Sequence, residues 1–166
     1  MSKYPEFPPY RIRGIPLYGF SSIARFADFL IPAQHPRYGM LVAINAEKVL
    51  SAEKDPQLRQ ILSEAAFNYA DGISIVRSVR KKYPGSTISR IAGVDLWQVL
   101  MQRAAEQGVP VFLVGGKSEV LQQTCDKLRR HWPTRIAGQQ DGYFSEQQTA
   151  AVIQAIADSG EIGRAN

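Results

Sequence analysis

The chain has 166 residues, 45% hydrophobic and 21% charged, which is ordinary for a globular protein long enough to bury a core. Those values exclude a disordered or fibrous chain. The formal charge of +5, from 20 basic and 15 acidic residues, does not by itself argue for nucleic acid, and it suits an anionic ligand or an anionic membrane surface.

Residues 1–9 are polar and proline-rich and read as a flexible tail. They lack the basic start and apolar run of a signal peptide. Tyr10 to Phe20 carries β-favouring residues around Gly14 and Pro16, which predicts a short strand pair. Ser21 or Ser22 can cap a helix whose apolar residues Ile23, Phe26, Ala27 and Leu30 follow a 3.6-residue period. Pro32 to Gly39 is a turn region, and Met40 to Ile44 a buried-type strand. Leu58, Ile61, Leu62, Ala65 and Ala66 mark the next helix. Ile73 to Lys82 is a strongly basic helix stopped by Pro84-Gly85, and Thr87 to Ile91 a short strand. Trp97, Leu100, Met101, Ala104 and Ala105 form a helical stripe ended by Gly108. Val109 to Val114 reads as a central strand. Helix Lys117 to Trp132 shows Val120, Leu121, Thr124, Cys125 and Leu128 on one face. Arg135 to Ala137 is strand-like, and Thr149, Val152, Ile153, Ile156 and Ala157 mark a last helix.

Strands alternating with helices of this length predict a three-layer, Rossmann-like α/β domain with a mostly parallel sheet, covering residues 10–166 as a single domain. After Ser159-Gly160 another strand is expected, but the chain continues only through Glu161 to Asn166. The expectation is therefore a domain incomplete at its carboxyl end. The longest apolar runs are strand-sized, far below membrane-spanning length. Cys125 is the only cysteine, so no intrachain disulfide forms. A reducing, cytoplasmic location follows most simply, with any membrane contact peripheral, although a secreted protein without disulfides would read the same way.

In open α/β sheets, ligands bind beyond the carboxyl ends of the strands. The polar and glycine residues there are Asn45 and Glu47, Asp71, Gly93 and Asp95, Gly115-Gly116, and Asp141-Gly142-Tyr143. Asp71 precedes a helix, and spacing alone favours a helix cap over a general base. Asp95 has the same two readings, and the cap is preferred. Gly115-Gly116 turns from a strand into a helix, either as a tight turn or as a phosphate site. Neither the Gly-x-Gly-x-x-Gly fingerprint nor a Walker loop is present, which disfavours an NAD-dependent oxidoreductase. Only His35 and His131 occur, so a histidine triad or zinc site is not expected. Asp-x-Asp, the common metal-bridging pair for a sugar-nucleotide diphosphate, is absent. No metal and no cofactor are expected. Arg77, Arg80, Lys81, Lys82 and Arg90 form a basic cluster, read as a solvated face or as a surface for lipid headgroups or pyrophosphate.

Taken in order, Leu41 to Lys48, Tyr69 to Ser74, Arg90 to Leu96, Phe112 to Gly116 and Asp141 to Phe144 resemble the WecG/TagA/CpsF glycosyltransferases. The match runs in register from about Tyr10 to Ser159. The string Asp71 to Pro84 resembles the enterobacterial branch, the UDP-N-acetyl-D-mannosaminuronic acid transferases of common-antigen assembly.

The resemblance implies inverting transfer of N-acetylmannosaminuronate from UDP to undecaprenyl-diphosphate-linked N-acetylglucosamine, at the inner face of the cytoplasmic membrane. Asp71 then matches the general base, Asn45 and Arg90 the acceptor and diphosphate pocket, and Tyr143 a position near the uridine. Gly93, Gly115, Gly116 and Gly142 belong to the substrate-binding motifs. Teichoic-acid members often carry threonine where this chain has Ala43, which suits a different sugar. Family members also continue through a Gly-Ser-Pro-Lys-Gln-Glu-like segment and a basic membrane-associating tail, both missing here. The resemblance thus implies a C-terminally truncated chain, weakly active or inactive alone, and robust transfer by these residues would overturn that. A non-catalytic nucleotide-sugar module and an N-acetylmannosamine transferase are the alternatives. No nucleic-acid partner is expected, and self-association is left open.

Overall fold

The computed structural model describes residues 4, 7–33 and 35–159. They form an α/β structure in two compact units, one comprising residues 1–30 and 37–99, the other 31–36 and 100–166. The strand expected after Ser159-Gly160 lies outside the described residues, as does the segment 161–166.

In the first unit, strands β1 (Tyr10–Ile12) and β2 (Ile15–Leu17) pair antiparallel, as expected. Arg13 and Gly14 join them with φ of 48° and 85°, the left-handed pair that suits a two-residue hairpin with right-twisted strands. Helix α1 (Ile23–Leu30) begins at Ser22, whose Oγ accepts from the Arg25 amide at 3.2 Å. Its buried side chains Phe26 and Phe29 join Phe20, Phe67 and Tyr69 in an aromatic cluster. Tyr4 packs on Phe29 with ring centroids 5.1 Å apart, and Phe7 on Phe20 at the same distance. Each such pair contributes about 0.5–1.5 kcal/mol beyond its area burial.

Strand β3 (Leu41–Ile44) runs parallel to β4 (Phe67–Ala70), from Leu41 opposite Phe67 to Ile44 opposite Ala70. The Tyr18 amide donates to the Asn68 carbonyl at 2.8 Å, so β4 has neighbours on both edges. All four β4 residues are buried. Asn68 tolerates this because its Nδ2 donates to the carbonyls of Pro16 (2.9 Å) and Leu62 (2.6 Å).

Two helices link β3 to β4 where one was expected. Helix α2 (Ala46–Lys54) precedes α3 (Pro56–Glu64), and Asp55 ends the first and caps the second through the Leu58 amide at 3.0 Å. The expected stripe narrows accordingly: Leu62 is buried, Ile61 is exposed, and Ala65 and Ala66 fall beyond the helix. Helix α4 (Ile73–Lys82) buries Ile75, Val76 and Val79 in a core with Leu17, Ile44, Val49 and Leu62.

Thr87 to Ile91 is not a strand. Ser89 donates to the Phe20 carbonyl and Ile91 to that of Ala70, so its backbone bonds serve two segments and build no ladder. Helix α5 (Gly93–Glu106) follows.

In the second unit, β5 (Val111–Val114) and β6 (Ile136–Gln140) pair parallel across helix α6 (Ser118–His131). Leu121, Cys125 and Leu128, at i, i+4 and i+7, face Leu113. Val120 is exposed and Thr124 half-buried, so the stripe is narrower than expected. The Cys125 thiol is fully buried and bonds Gln139 Oε1 at 2.8 Å. Helix α7 (Thr149–Asp158) inserts Val152. The α/β class, with parallel strand pairs and an antiparallel amino-terminal pair, is as expected. Among the described residues no helix is long and apolar enough to cross a membrane.

Candidate functional site

Asp71 follows the last residue of β4, where its amide and that of Gly72 both donate to the Ile44 carbonyl, at 3.0 and 3.3 Å. Helix α4 takes Gly72 as its N-cap and has no side-chain cap bond. Asp71 therefore does not cap its own helix, although spacing favoured that. Its carboxylate turns toward the start of α5 instead. Oδ2 accepts from the Gly93 amide and Oδ1 from Arg90 Nη2, each at 3.4 Å.

The strongest bond here is to the backbone: Arg90 Nε donates to the Asp71 carbonyl at 2.5 Å. The guanidinium thus fixes the Asp71 main chain and holds the carboxylate only loosely. The Asp71 side chain is 32% exposed, so solvent or a hydroxyl can reach it.

Tyr69, two residues earlier on the same strand face, was not singled out from the sequence. A Cβ placed on Gly93 would stand 3.1 Å from the Tyr69 hydroxyl and 3.5 Å from Asp71 Oδ2. Gly93 therefore leaves the space in which phenol and carboxylate lie side by side. Burial, and then the Asp71 charge, push the Tyr69 pKa upward. The alternation Tyr69-Ala70-Asp71 was the available signal.

Asn45 joins this cluster through its backbone. A Cβ on Gly72 would meet Asn45 Cα at 3.4 Å. Its side chain is engaged as the cap of α2, with Oδ1 accepting from the Lys48 amide at 2.9 Å. Asp95 lies inside the first turn of α5 and is not its N-cap, contrary to the preferred reading. There its charge complements the helix dipole. The first unit thus brings together Asn45, Asp71, Arg90 and Gly93.

The second unit carries the other candidates. Gly115 and Gly116 have φ of 132° and 69°, values that favour glycine, and no atom stands within 4 Å of a Cβ added at either. Gly142 donates to the Gly116 carbonyl at 2.9 Å, and a Cβ there would come within 3.2 Å of Gly115 Cα. The two glycine turns are therefore locked together by backbone contact. Tyr143 presents a 76% exposed ring, while its amide donates to Asp141 Oδ1 at 2.9 Å.

Asp141 Oδ2 accepts from the Ser118 hydroxyl at 2.8 Å, at the first residue of α6. That bond, then the Tyr143 amide, lowers the Asp141 pKa below its ordinary value. A carboxylate thus already stands at the amino end of α6, where a phosphate would otherwise be attracted. Ser118 was not identified from the sequence.

A cavity of about 500 Å³ in the first unit lies elsewhere, lined by Phe7, Phe20, Arg25, Asp28, Phe29 and Arg37 among others, and includes none of the Asp71 cluster. Among the described residues, no three His, Cys, Asp or Glu side chains group as a metal site. In comparison with known proteins, the model described as "Glycosyl transferase WecG/TagA/CpsF family" matches residues 11–161, a span that holds both clusters.

Proposed function

We propose that this chain, which belongs to the WecG/TagA/CpsF glycosyl transferase family, moves N-acetyl-D-mannosaminuronate from UDP to undecaprenyl-diphosphate-linked N-acetylglucosamine, with Asp71 as general base. Membership makes the chain a glycosyltransferase for polysaccharide precursors. The donor, the acceptor and the base are our reading, as is the place of reaction at the inner face of the cytoplasmic membrane.

The observation that carries the reading is the state of the Asp71 carboxylate. It is partly exposed and held by two 3.4 Å contacts, while Arg90 fastens the backbone beneath it at 2.5 Å. A base needs a fixed position and an open lone pair, and this arrangement supplies both. In the proposed step the acceptor hydroxyl oxygen attacks the anomeric carbon from the face opposite UDP. Its proton passes to Asp71, the bond from the anomeric carbon to the phosphate oxygen breaks, and UDP leaves with that electron pair. One displacement inverts the anomeric centre. Asn45 and Arg90 are assigned to the acceptor and its diphosphate. Gly115, Gly116, Gly142 and Tyr143 are assigned to the donor nucleotide.

N-acetylmannosamine transfer is the second reading. Ala43, standing where teichoic-acid members often have threonine, suits a sugar different from theirs. Replacing Asp71 by Asn tests the base directly. Turnover of radiolabelled donor should fall by about 10²–10⁴-fold, while UDP affinity measured by calorimetry changes little. Near-normal turnover in Asp71→Asn would rule out Asp71 as the base, whereas UDP binding without any turnover in the wild-type chain would favour a binding module.

A further inference from the structure

From Gly72 to Val94 the chain holds five basic residues and no acidic one. Four of them lie on α4, which turns Ile75, Val76 and Val79 inward and leaves Arg77, Arg80, Lys81 and Lys82 exposed. Strand β1 extends this face. Lys82 Nζ donates to the Arg11 carbonyl at 3.0 Å, and the Arg11 side chain is itself exposed. Arg80 is anchored by two donations to the Ile88 carbonyl, at 2.8 and 3.2 Å. Neither anchor is a carboxylate, so the charges are positioned without being neutralised. Among the described residues none of Arg11, Arg77, Arg80, Lys81 and Lys82 has an acidic partner, whereas Arg90, the fifth basic residue of the run, meets Asp71. Arg13, on the turn beyond β1, does pair with Glu53.

The plain alternative is compensation of the helix dipole. That accounts for Arg80, Lys81 and Lys82 in the last turn. It does not account for Arg77, for Arg11 on the neighbouring strand, or for the acid-free run.

Two apolar features accompany the charges. The half-buried Tyr10 and Tyr83 rings pack with centroids 5.1 Å apart and planes tilted by 51° beside the basic residues, and Ile73 is 53% exposed at the start of the same helix. Basic residues with tyrosine and an exposed aliphatic side chain match the chemistry of a bilayer interface.

We propose that the α4–β1 face docks this chain on an anionic lipid bilayer. The proposal deepens the transferase reading and rests on it for its purpose. Asp71 stands at the amino end of the helix whose basic face meets the lipid, and ten residues of helix span about 15 Å. A helix lying along the headgroups therefore keeps the carboxylate close to a diphosphate at the membrane surface.

Sedimentation with phosphatidylcholine vesicles, with and without phosphatidylglycerol, tests this. The wild-type chain should partition onto the anionic vesicles only, and added salt should release it. In Arg77→Gln/Lys81→Gln, each lost charge should weaken partition about 5-fold and the pair about 30-fold. Its thermal unfolding should match wild type, since neither side chain has a hydrogen bond or ion pair among the described residues. A control with the same charge loss in the second unit, Lys117→Gln/Lys127→Gln, should partition as wild type. Equal binding to neutral vesicles, wild-type partition by the α4 pair, or equal loss in the control would each overturn the proposal. So would loss of oligonucleotide binding with vesicle binding intact, which would assign the face to nucleic acid. Asp71→Asn should partition normally, so failure of docking is distinguishable from failure of the chemistry.

Discussion

Tyr69 and Asp71 leave β4 on the same face, and each constrains what the other can do in a reaction. Burial and the neighbouring carboxylate both disfavour tyrosinate, so the phenol keeps its proton well above neutrality. Tyr69 can donate a hydrogen bond in the site but cannot act as a second base. The shift also couples to stability. The folded state holds the Tyr69 proton more tightly than the unfolded chain, which releases it near the ordinary value of 10.0. This contribution is complete below pH 10.0 and is lost as pH rises through the higher folded value. Tyr69→Phe has no proton to lose. Its urea midpoint should therefore fall less steeply above pH 10.0 than that of wild type. Parallel alkaline slopes for the two proteins would show that Tyr69 titrates as freely in the folded state as in the unfolded one.

At the scale of elements, Asn45 joins a structural duty to a proposed functional one. Its Oδ1 caps α2, and an N-cap lost to alanine costs about 0.5–2 kcal/mol. Serine caps nearly as well, which separates the two duties. Asn45→Ala should lower the denaturation midpoint, whereas Asn45→Ser should keep it and raise the acceptor KM if the side chain also meets acceptor. Unchanged acceptor KM in Asn45→Ser would leave the cap as its whole role. The elements legible in the sequence were those with an apolar period or run, such as α1, α6, β3 and β5, and α4, a basic stretch stopped by Pro84-Gly85. Strand β4 was not legible, because Asn68 and Tyr69 look unlike a buried strand until Pro16 and Leu62 supply carbonyls to Asn68. Helix α2 buries only Val49 and Ala52 and so shows no stripe. Asp71 was misread on spacing for a related reason. What turns its carboxylate away from α4 are Arg90 and Gly93, 19 and 22 residues further on. Local spacing carries no record of partners that distant, and only the ordered motifs pointed to them.

For the whole molecule, the two units carry different parts of the proposed chemistry, and kinetics can separate them. The first holds the acid–base group with Asn45, Arg90 and Gly93, and the second the glycine turns and Tyr143. In the proposed reaction both donor and acceptor are anionic diphosphates, which a chain of net charge +5 attracts without needing a concentrated charge at either cluster. The second unit fits a role in holding the base and sugar of the nucleotide more than its phosphates. Asp141 already occupies the amino end of α6, and the Tyr143 ring is free to stack. Aromatic stacking on a base is worth about 1–3 kcal/mol by alanine substitution, or roughly 5- to 150-fold in affinity. Tyr143→Ala should accordingly raise the donor KM within that range and leave kcat near wild type. Asp71→Asn should do the reverse, lowering kcat with donor affinity kept. The combined variant should show both defects, each at its single-variant size. A Tyr143→Ala enzyme with normal donor KM and depressed kcat would instead place Tyr143 in the chemical step, and the division of labour between the units would fail.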